Sequence, residues 1–562
     1  MLYEFVKLTT DFISECKISV YFWFLQGNFP KLMEENPYNM KKSITFAPYL
    51  MHKMKKRGVI FLAALACSAA VSGQVEVRTE VQTTSSDGEH TPLWLNANKY
   101  GLSSLDKTNG YVRVGAFRDA SQDSCRRLRL GAAVDVAVAA GFTSDMVVQQ
   151  AYGELGFMKG LLTVGSKQQP MELKNQELST GPQTLGINAR PVPSVRLSLP
   201  EYWEIPGTRG WLALKGHLSY GLTTDDGWEA NFTQRENAYT KHTLLHTKAG
   251  YVRIGRKGTP LNVEMGMEMA CQFGGKSYQQ INSTELSEIK NTVGLKGMWR
   301  ALIPGGAEAT ETTYKNTDGN HLGSVLARVN LDYPTWGLSA YADHFFEDHS
   351  QMFFFSRNDY GTGERWEQHE GRSYFVYDLR DAMLGLELRL KGLPWLNTVV
   401  AEYLYTKYQS GPVYHDHTPH LSDQIAGRDD YYNHFIFACW QHWGQVMGNP
   451  LYRSPLYNDD RRIMVEDNRF WAWHVAASGE PLPRLRYRLM CTWQHGFGTY
   501  LKPLANPARN MSLLAEAAYS FAPSSTLKGW SVKGALGMDR GKLLGDNLGF
   551  QLTLEKVLTI AE

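Results

Sequence analysis

The most informative stretch of the chain is RLRLGAAVDVAV, from Arg127 to Val138. Leucine, alanine and valine occupy every second position, and arginine, glycine, alanine and aspartate fill the positions between them. This strict period of two continues over twelve residues, whereas a strand of a globular protein averages about five or six. A tilted strand that crosses a bilayer needs about 9 to 11 residues. The length therefore predicts a membrane strand whose apolar row faces lipid and whose polar row faces the lumen of a barrel.

The same alternation recurs along the chain, at Trp211–Leu222, Leu261–Cys271, Trp530–Asp539 and Leu548–Glu555. Charged residues at alternate positions exclude strands that are buried on both faces. Between the last two segments lies GKLLGDN, whose glycine and asparagine residues favour a turn. These two segments are therefore predicted to form a hairpin.

Composition excludes several classes of protein. The chain has 562 residues, of which 12% are aromatic and 51 are glycine, so it is too aromatic for a disordered polymer. Its 58 basic and 56 acidic residues give a net charge of +2, without the basic stripe of a nucleic-acid binder. After the first 75 residues, no stretch of the sequence approaches the roughly 18 consecutive apolar residues of a membrane-spanning helix.

Residues 54–73, MKKRGVIFLAALACSAAVSG, have the layout of a secretory signal. A cationic start is followed by an apolar stretch and then by small residues, and cleavage is expected before Gln74. Residues 1–53 are either a true leader or the result of a mis-assigned start. We favour the mis-assigned start, because a signal peptide works at the very N-terminus. The predicted plan continues with a short polar segment at 74–90 and a single barrel at 91–562.

The length of the exported chain sets the number of strands. It has 489 residues (562 minus 73), and a strand with its share of turn and loop takes roughly 25 to 30 in such barrels. This predicts about 16 to 20 strands in one large antiparallel barrel. A soluble all-β protein, such as a propeller or a sandwich, remains the alternative. It is favoured by the chain end, TIAE, which lacks the terminal aromatic residue usual in bacterial outer-membrane barrels.

Nine segments, taken in order, resemble the capsule-assembly Wzi family in the form found in Bacteroides-type bacteria. They are PLWLNANKYGL (92–102), QQAYGELGF (149–157), NARPVPSVRLSLPEYWEIP (188–206), QFGG (272–275), GNHLGS (319–324), HFFEDHS (344–350), TKYQSGP (406–412), YYNH (431–434) and GNPL (448–451). Each is weak alone, but together they cover nearly all of the chain after residue 90. The resemblance implies an outer-membrane barrel of eighteen strands with lectin-like activity, which anchors capsular or related polysaccharide.

The sequence departs from the enterobacterial members of that family at its N-terminus. Those members begin with a helical bundle that plugs the periplasmic mouth, whereas only the polar segment 74–90 precedes the first family-like motif here. The proline-rich stretch 165–209 is unsuited to a ladder strand. It is predicted either to fold inward as a constriction of the lumen or to form a long external loop.

A glycan-binding surface needs aromatic faces for sugar rings and polar groups for hydroxyls. The HFFEDHS segment offers both, although an aromatic girdle that ends in a polar turn explains it as well. Turn hydrogen bonding also explains two of the polar residues in the other family-like segments, Asn320 and Gln409. The predicted glycan-binding candidates are Gln272, Asn320, His321, Glu347, Asp348 and Gln409.

No enzyme, metal site or cofactor is predicted. The YHDHTPH stretch at 414–420 lacks a catalytic metal spacing and favours a solvated loop over chelation by His415 and His417. Glu347 and Asp348 are adjacent, so on a strand they point to opposite faces and make a poor acid/base pair. The sequence contains no GxSxG, Walker A or Rossmann signature.

The predicted protein is thus an outer-membrane barrel lectin, expected to be a monomer. Its partners are surface polysaccharide and outer-membrane lipids, and nucleic acid is not among them. A diffusion porin is the alternative, because the polar lumen predicted from Arg127, Arg129 and Asp135 suits it equally well. A hydrolase embedded in the barrel would require a nucleophile and a base that converge in space.

Overall fold

Eighteen strands with alternating apolar and polar residues pair in chain order. The computed structural model describes residues 74–123, 127–280, 285–303, 319–347, 358–360, 369–371, 379–411, 414–415, 424–425 and 428–560. The strands, numbered β1 to β18, are Val75–Asp87, Thr108–Arg118, Leu128–Ala140, Met146–Phe157, Gly160–Ser166, Ser194–Glu204, Leu212–Leu222, Leu244–Ile254, Leu261–Phe273, Asn320–Asp332, Trp336–Glu347, Ala382–Leu390, Thr398–Tyr405, Phe470–Leu482, Leu485–Gly498, Pro503–Ser520, Trp530–Gly541 and Asn547–Ile560.

The sheet closes between its first and last strands. β1 runs antiparallel to β18, with Val75 opposite Ile560 and Asp87 opposite Leu548. Every barrel strand therefore has two antiparallel neighbours, and closure removes the exposed sheet edges that would invite aggregation. The predictions of a closed antiparallel barrel of about eighteen strands and of the C-terminal hairpin are confirmed.

The two ends of the barrel differ in the length of their connections. One end carries short turns, such as residues 158–159, 333–335 and 483–484, and we call it the turn end. The other carries long connections, up to residues 406–469, and we call it the loop end. In outer-membrane barrels the short turns are periplasmic and the long loops extracellular. The loop end therefore corresponds in connection length to the extracellular end of such barrels.

The outer wall is apolar, and the inner wall is polar. On β3, Leu128 and Leu130 are 58% and 52% exposed, whereas Asp135 faces inward and is fully buried. Aromatic residues mark both ends of the outer wall, with Trp473 opposite Trp493 toward the loop end and Trp203, Trp211, Trp336 and Trp395 toward the turn end. An apolar band between two aromatic girdles is the lipid-facing surface of a transmembrane barrel.

Inward-folded connections occupy the lumen near the loop end. They consist of residues 88–107, 167–193 and 428–469, which we call the plug. Their buried core includes Leu93, Trp94, Leu178, Tyr431, Tyr432, Trp440 and Tyr452. The proline-rich segment thus follows the inward alternative over residues 167–193. A plug is present, although it is built from connections between strands.

The structure differs from the sequence analysis at two strands. Residues 74–90, predicted as a polar segment before the barrel, contain β1. Its outward row includes Thr83 and Ser85, so the apolar signal is weak. Residues 194–204, predicted to be unsuited to a strand, form β6. Pro200 is tolerated there because it lies where the register shifts between Leu199 and Trp203, a position that needs no ladder hydrogen bond.

Short helices and small sheets lie in the connections between the barrel strands. The helices α1 to α3 are Leu93–Asn96, Trp228–Phe232 and Gly294–Leu302, and 3-10 turns form at Ala120–Asp123 and Pro455–Tyr457. Small sheets join Tyr239–Lys241 with Lys276–Gln279 and Ser287–Lys290, Asn358–Tyr360 with His369–Gly371, Tyr414–His415 with Gln424–Ile425, and Gln441–His442 with Gln445–Val446. Within the described ranges, no helix has the length and apolarity needed to cross a membrane.

Candidate functional site

A buried carboxylate on the barrel wall fixes the first part of the plug. Glu402 of β13 accepts hydrogen bonds from the Ser179 hydroxyl at 2.5 Å and from the Thr180 amide and hydroxyl at 2.8 and 2.7 Å. The Tyr341 hydroxyl donates a fourth, at 2.6 Å. Charged acceptors make the stronger hydrogen bonds, and four donors compensate the burial of this side chain. The segment 167–193 is therefore held against β11 and β13.

A buried ion pair fixes the same segment a few residues earlier. The Lys174 ammonium lies 2.7 Å from a carboxylate oxygen of Asp343, and their side chains are 1% and 0% exposed. The Gln183 amide donates to the same oxygen at 3.0 Å. On β14, His474 contacts the Leu178 carbonyl at 2.8 Å. Removal of either ionic partner would leave the other charge buried and uncompensated, so this contact makes the inward fold specific.

Four of the predicted candidates hold the plug as well. Gln272 donates to the Cys439 carbonyl at 3.1 Å, and Asn320 donates to the Gln272 side chain at 3.0 Å. The Tyr432 amide donates to Glu347 at 2.9 Å, and Gln409 donates to the Asn468 carbonyl at 3.0 Å. Beside Glu347, the Phe345 ring packs edge-on against Tyr431, with centroids 4.6 Å apart. These family-like segments therefore meet the plug along one arc of the barrel wall, from β9 to β13.

The other candidates lie elsewhere. His321 is on the outward row of β10, opposite Cys271, and its ring is 3.4 Å from the Cys271 sulfur. Asp348 lies outside the described residues, as does most of the 414–420 histidine stretch. The five described candidates are at most 4% exposed, so they act as positioning residues in this conformation. Direct glycan contact by any of the six stays a prediction.

The sequence analysis missed a partly exposed group of cations and rings at the loop end. Three positively charged side chains each lie over an aromatic ring, just beyond or at the loop-end termini of β12 to β15. We call this group the rim cluster. The distances to the ring centroids are 4.3 Å for Arg380 over Tyr408, 4.1 Å for Lys407 over Phe497 and 3.7 Å for Arg469 over Tyr500.

Hydrogen bonds join the three pairs into one surface. The Tyr500 hydroxyl donates to the Tyr408 carbonyl at 2.8 Å, and Arg469 donates to the Lys407 carbonyl at 3.1 Å. Beneath them, Asp381 accepts from the backbone amides of Tyr408 at 2.9 Å and Gln409 at 2.5 Å. The predicted candidate Gln409 thus supports the rim cluster from below. A cation next to an aromatic residue at a strand end, as in Lys407 and Tyr408, is the sequence signal that could have indicated it.

Acidic side chains accompany the three cations of the rim cluster. The Asp467 carboxyl, which accepts from the Gly498 amide at 2.7 Å, is the acidic group next to Phe497. Burial raises the pKa of Asp467 to about 7, and the hydrogen bond opposes that shift only in part. Asp381 beneath the cluster is a second acidic group, and the charge of Asp429 acts on Tyr500. The rim cluster therefore combines three cations with acidic groups that offset part of their charge.

A cavity remains between the plug segment 167–193 and strands β5 to β9. The cavity volume is about 140 Å³, and it opens to solvent on one side. Its lining is mostly apolar by area, but it includes the polar and aromatic residues Tyr100, Lys167, Arg196, His217, Tyr251 and Glu268. The lumen is thus narrowed to one side of the barrel, where a path for small solutes would run beside cationic groups.

The chain is similar to known proteins in its fold alone. No family model and no curated protein matches the chain. Among solved structures, it is similar to Wzi of Escherichia coli, described as a carbohydrate-binding β-barrel involved in group 1 capsule assembly. The TM-score is 0.49 at 10% identity, over 86% of this chain and 85% of that one. It is also similar to Acinetobacter baumannii OccAB4, with a TM-score of 0.41 at 10% identity over 87% and 99% of the two chains, and to Pseudomonas aeruginosa OprD, with 0.41 at 10% over 88% and 98%. The chain has the fold of a closed antiparallel β-barrel of eighteen strands.

Among the described residues, no three histidine, cysteine, aspartate or glutamate side chains are grouped so that they could hold a metal ion. Burial raises the pKa of Glu229, in α2, to about 7, but its carboxylate is fully engaged by Thr240 and Gln441 inside the plug region. A structural role accounts for this shift. The expectation that the chain is not an enzyme stays a prediction.

Proposed function

We propose that this outer-membrane barrel binds surface polysaccharide at its loop end and so anchors capsular or related polymer to the cell. The observation that carries the proposal is the rim cluster, which presents three cations and three rings together at the cell-surface end. The sequence segments that resemble the Wzi family support the same function.

The chemistry of the rim cluster fits an acidic glycan. Aromatic rings offer flat apolar faces to the C–H faces of sugars. The Tyr500 hydroxyl, whose proton goes to the Tyr408 carbonyl, can still accept a hydrogen bond from a sugar hydroxyl. Arginine guanidinium groups match carboxylates and phosphates with two parallel hydrogen bonds. Arg380 is exposed, and the rest of the cluster is half-buried, so a polymer could reach it from outside. We therefore assign the glycan contacts to these residues and a supporting role to Gln409.

Weak binding at one such surface is enough for retention. A long polymer can contact many barrel copies at once, and each contact after the first is made at high effective concentration. The overall attachment can thus exceed the affinity of one site by two or more orders of magnitude. A rigid, plugged loop end suits this role, because it holds the cations without a further ordering cost at each encounter.

A diffusion porin is the second candidate function, favoured by the cavity along β5 to β9. Lys167 and Arg196 line this cavity together with Glu172 and Glu268, so a passage there would present both signs of charge to small solutes. In this alternative, the plug narrows the passage and selects solutes by size and charge. The two candidates differ in where the active groups lie, at the rim or inside the lumen.

The proposed function is tested by polysaccharide retention. Arg380, Lys407 and Arg469 are replaced together by alanine, and polysaccharide attached to cells is compared with polysaccharide shed into the medium. Because the three cations carry the ionic part of binding, we expect the attached-to-shed ratio to fall at least threefold, toward the value of the gene deletion.

A charge-matched variant serves as the control. Lys159, Lys257 and Lys528 are exposed at the turn end, so their replacement by alanine removes the same charge from the opposite side of the membrane. This variant should retain polysaccharide like the unmodified protein, with equal amounts of folded barrel in both strains. If the rim variant retains polymer as well as this control does, the rim cluster is not the anchoring surface.

A further inference from the structure

Helix α3 lies on the outside of the barrel, at the loop end of β8 and β9. Ala301 is buried in a small cluster with Cys271 and Phe273, which belong to the outward row of β9. Gln272, between them, faces the lumen and contacts the plug. Since neighbouring strand residues point to opposite faces, the helix must pack on the lipid-facing side of the wall.

Polar side chains of the wall fix the helix in place. The Tyr220 hydroxyl donates to the Met298 carbonyl at 2.9 Å, and the Lys248 ammonium donates to the Leu302 carbonyl. Leu302 is the last residue of the helix, where the backbone carbonyl lacks an intrahelical partner and a cation is favourable, and Met298 lies one turn before it. The contact also shields two polar groups of the outer wall from the hydrocarbon.

The side of α3 that points away from the barrel is apolar. Leu295, Trp299 and Ile303 follow one another at intervals of four, and they are 86%, 62% and 50% exposed. This spacing places them in one stripe along the helix. Exposed apolar residues of the adjoining wall, such as Met265 and Leu222, continue the surface toward the bilayer. Exposure of such a stripe to water is unfavourable, whereas its burial in a membrane interface is favourable.

Cationic residues accompany the stripe. Lys296 and Arg300 are one turn apart, and the sequence of the helix, GLKGMWRAL, contains no acidic residue. A helix with an apolar stripe, a tryptophan and a basic row has the composition of helices that lie in the plane of a membrane surface. The positive charge is complementary to anionic lipid headgroups.

We infer that α3 is an in-plane anchor that binds anionic lipid of the outer leaflet, with the apolar stripe among the acyl chains and Lys296 and Arg300 toward lipid phosphate groups. Continuity with the lipid-facing wall supports this partner. The inference rests on the membrane barrel and is independent of polysaccharide binding at the rim cluster, which lies at the loop ends of β12 to β15.

Site-specific photocrosslinking tests the inference. The full-length protein is reconstituted into phosphatidylcholine vesicles that contain lipopolysaccharide, with p-benzoylphenylalanine at position 295, 489 or 501. Leu489 is on the lipid-facing wall, and Leu501 is 74% exposed in the loop-end turn between β15 and β16. We expect lipopolysaccharide adducts at position 295 at least fivefold above position 501 and comparable to position 489. Equal yields at 295 and 501, or an adduct of twice the protein mass at 295, would overturn the inference.

The proposed contact of Lys296 and Arg300 with anionic headgroups is tested in the same vesicles. The double variant K296E/R300E, with the crosslinker at position 295, should lose at least two thirds of the lipopolysaccharide adduct, because its headgroup contacts become repulsive. The variant K159E/K257E makes the same change of charge at the turn end and should keep the full yield. An undiminished adduct in K296E/R300E would overturn the assignment of an anionic lipid.

Discussion

At the scale of single residues, buried charges decide where the plug sits. Lys174 and Asp343 are almost completely buried, and one further donor, the Gln183 amide, contacts the Asp343 oxygen that the ammonium contacts. Such a pair contributes little net free energy compared with apolar residues of the same shape, because desolvation offsets the attraction. Its effect is on specificity, since any other position of the segment 167–193 would leave two charges buried alone.

The variant K174M tests this account. It leaves the Asp343 carboxylate buried without its cation, and we expect the free energy of unfolding to fall by about 3–5 kcal/mol. The measurement is the loss of the compact folded band on heating in detergent gels. The double variant K174M/D343N keeps an oxygen acceptor for the Gln183 amide but removes the charge, so it should recover most of the loss. A single variant as stable as the double would contradict the buried-charge account.

At the scale of elements, the alternation of apolar and polar residues explains which strands could be predicted from the sequence. β3, β7, β9, β17 and β18 carry clear apolar rows and were predicted within two residues at their starts. β1 was missed because threonine and serine occupy outward positions, and β6 was missed because its proline lies at a bulge. Lys407 beside Tyr408 marks the place of the rim cluster in the sequence, but the pairing of each ring with its cation was not predictable, since the two come from separate strands. The candidate residues were polar as expected, but their partners in the plug depend on the folded lumen.

The outward row of β15 provides a prediction at this scale. Leu489 is 47% exposed and lies between Tyr487, toward the turn end, and Trp493, toward the loop end. The variant L489R places a cation near the middle of the lipid-facing band, which should destabilise the barrel by about 2–4 kcal/mol. Unfolding in urea from phospholipid vesicles measures the change.

The control for this variant is L504R on β16. Residues 503–507 are all exposed, so both faces of the strand there lie beyond the barrel wall. The same substitution at Leu504 should change the stability by less than about 1 kcal/mol. Equal losses for the two variants would show that Leu489 does not face hydrocarbon.

At the scale of the whole molecule, closure of the lumen separates the two candidate functions. The sheet alone would enclose a wide aqueous channel, since barrels of 16 to 18 strands leave one open. Here the plug occupies the loop end, and the remaining cavity lies beside the segment 167–193. A barrel closed in this way can act at its cell-surface end without making the membrane permeable.

Ion conductance in planar bilayers measures this closure. The intact barrel should give no large steps, because the segment 167–193 is fixed by Glu402, Asp343 and His474. In a variant with residues 168–191 replaced by a short Gly/Ser linker, β5 and β6 can still pair, since Gly165 is opposite Ser194. We expect its conductance to rise at least fivefold. Replacement of residues 523–528, in the turn between β16 and β17, by a Gly/Ser linker of equal length should leave the conductance unchanged. Large steps from the intact barrel would instead favour the porin, because a plug that fills the lumen cannot coexist with an open path for hydrated ions.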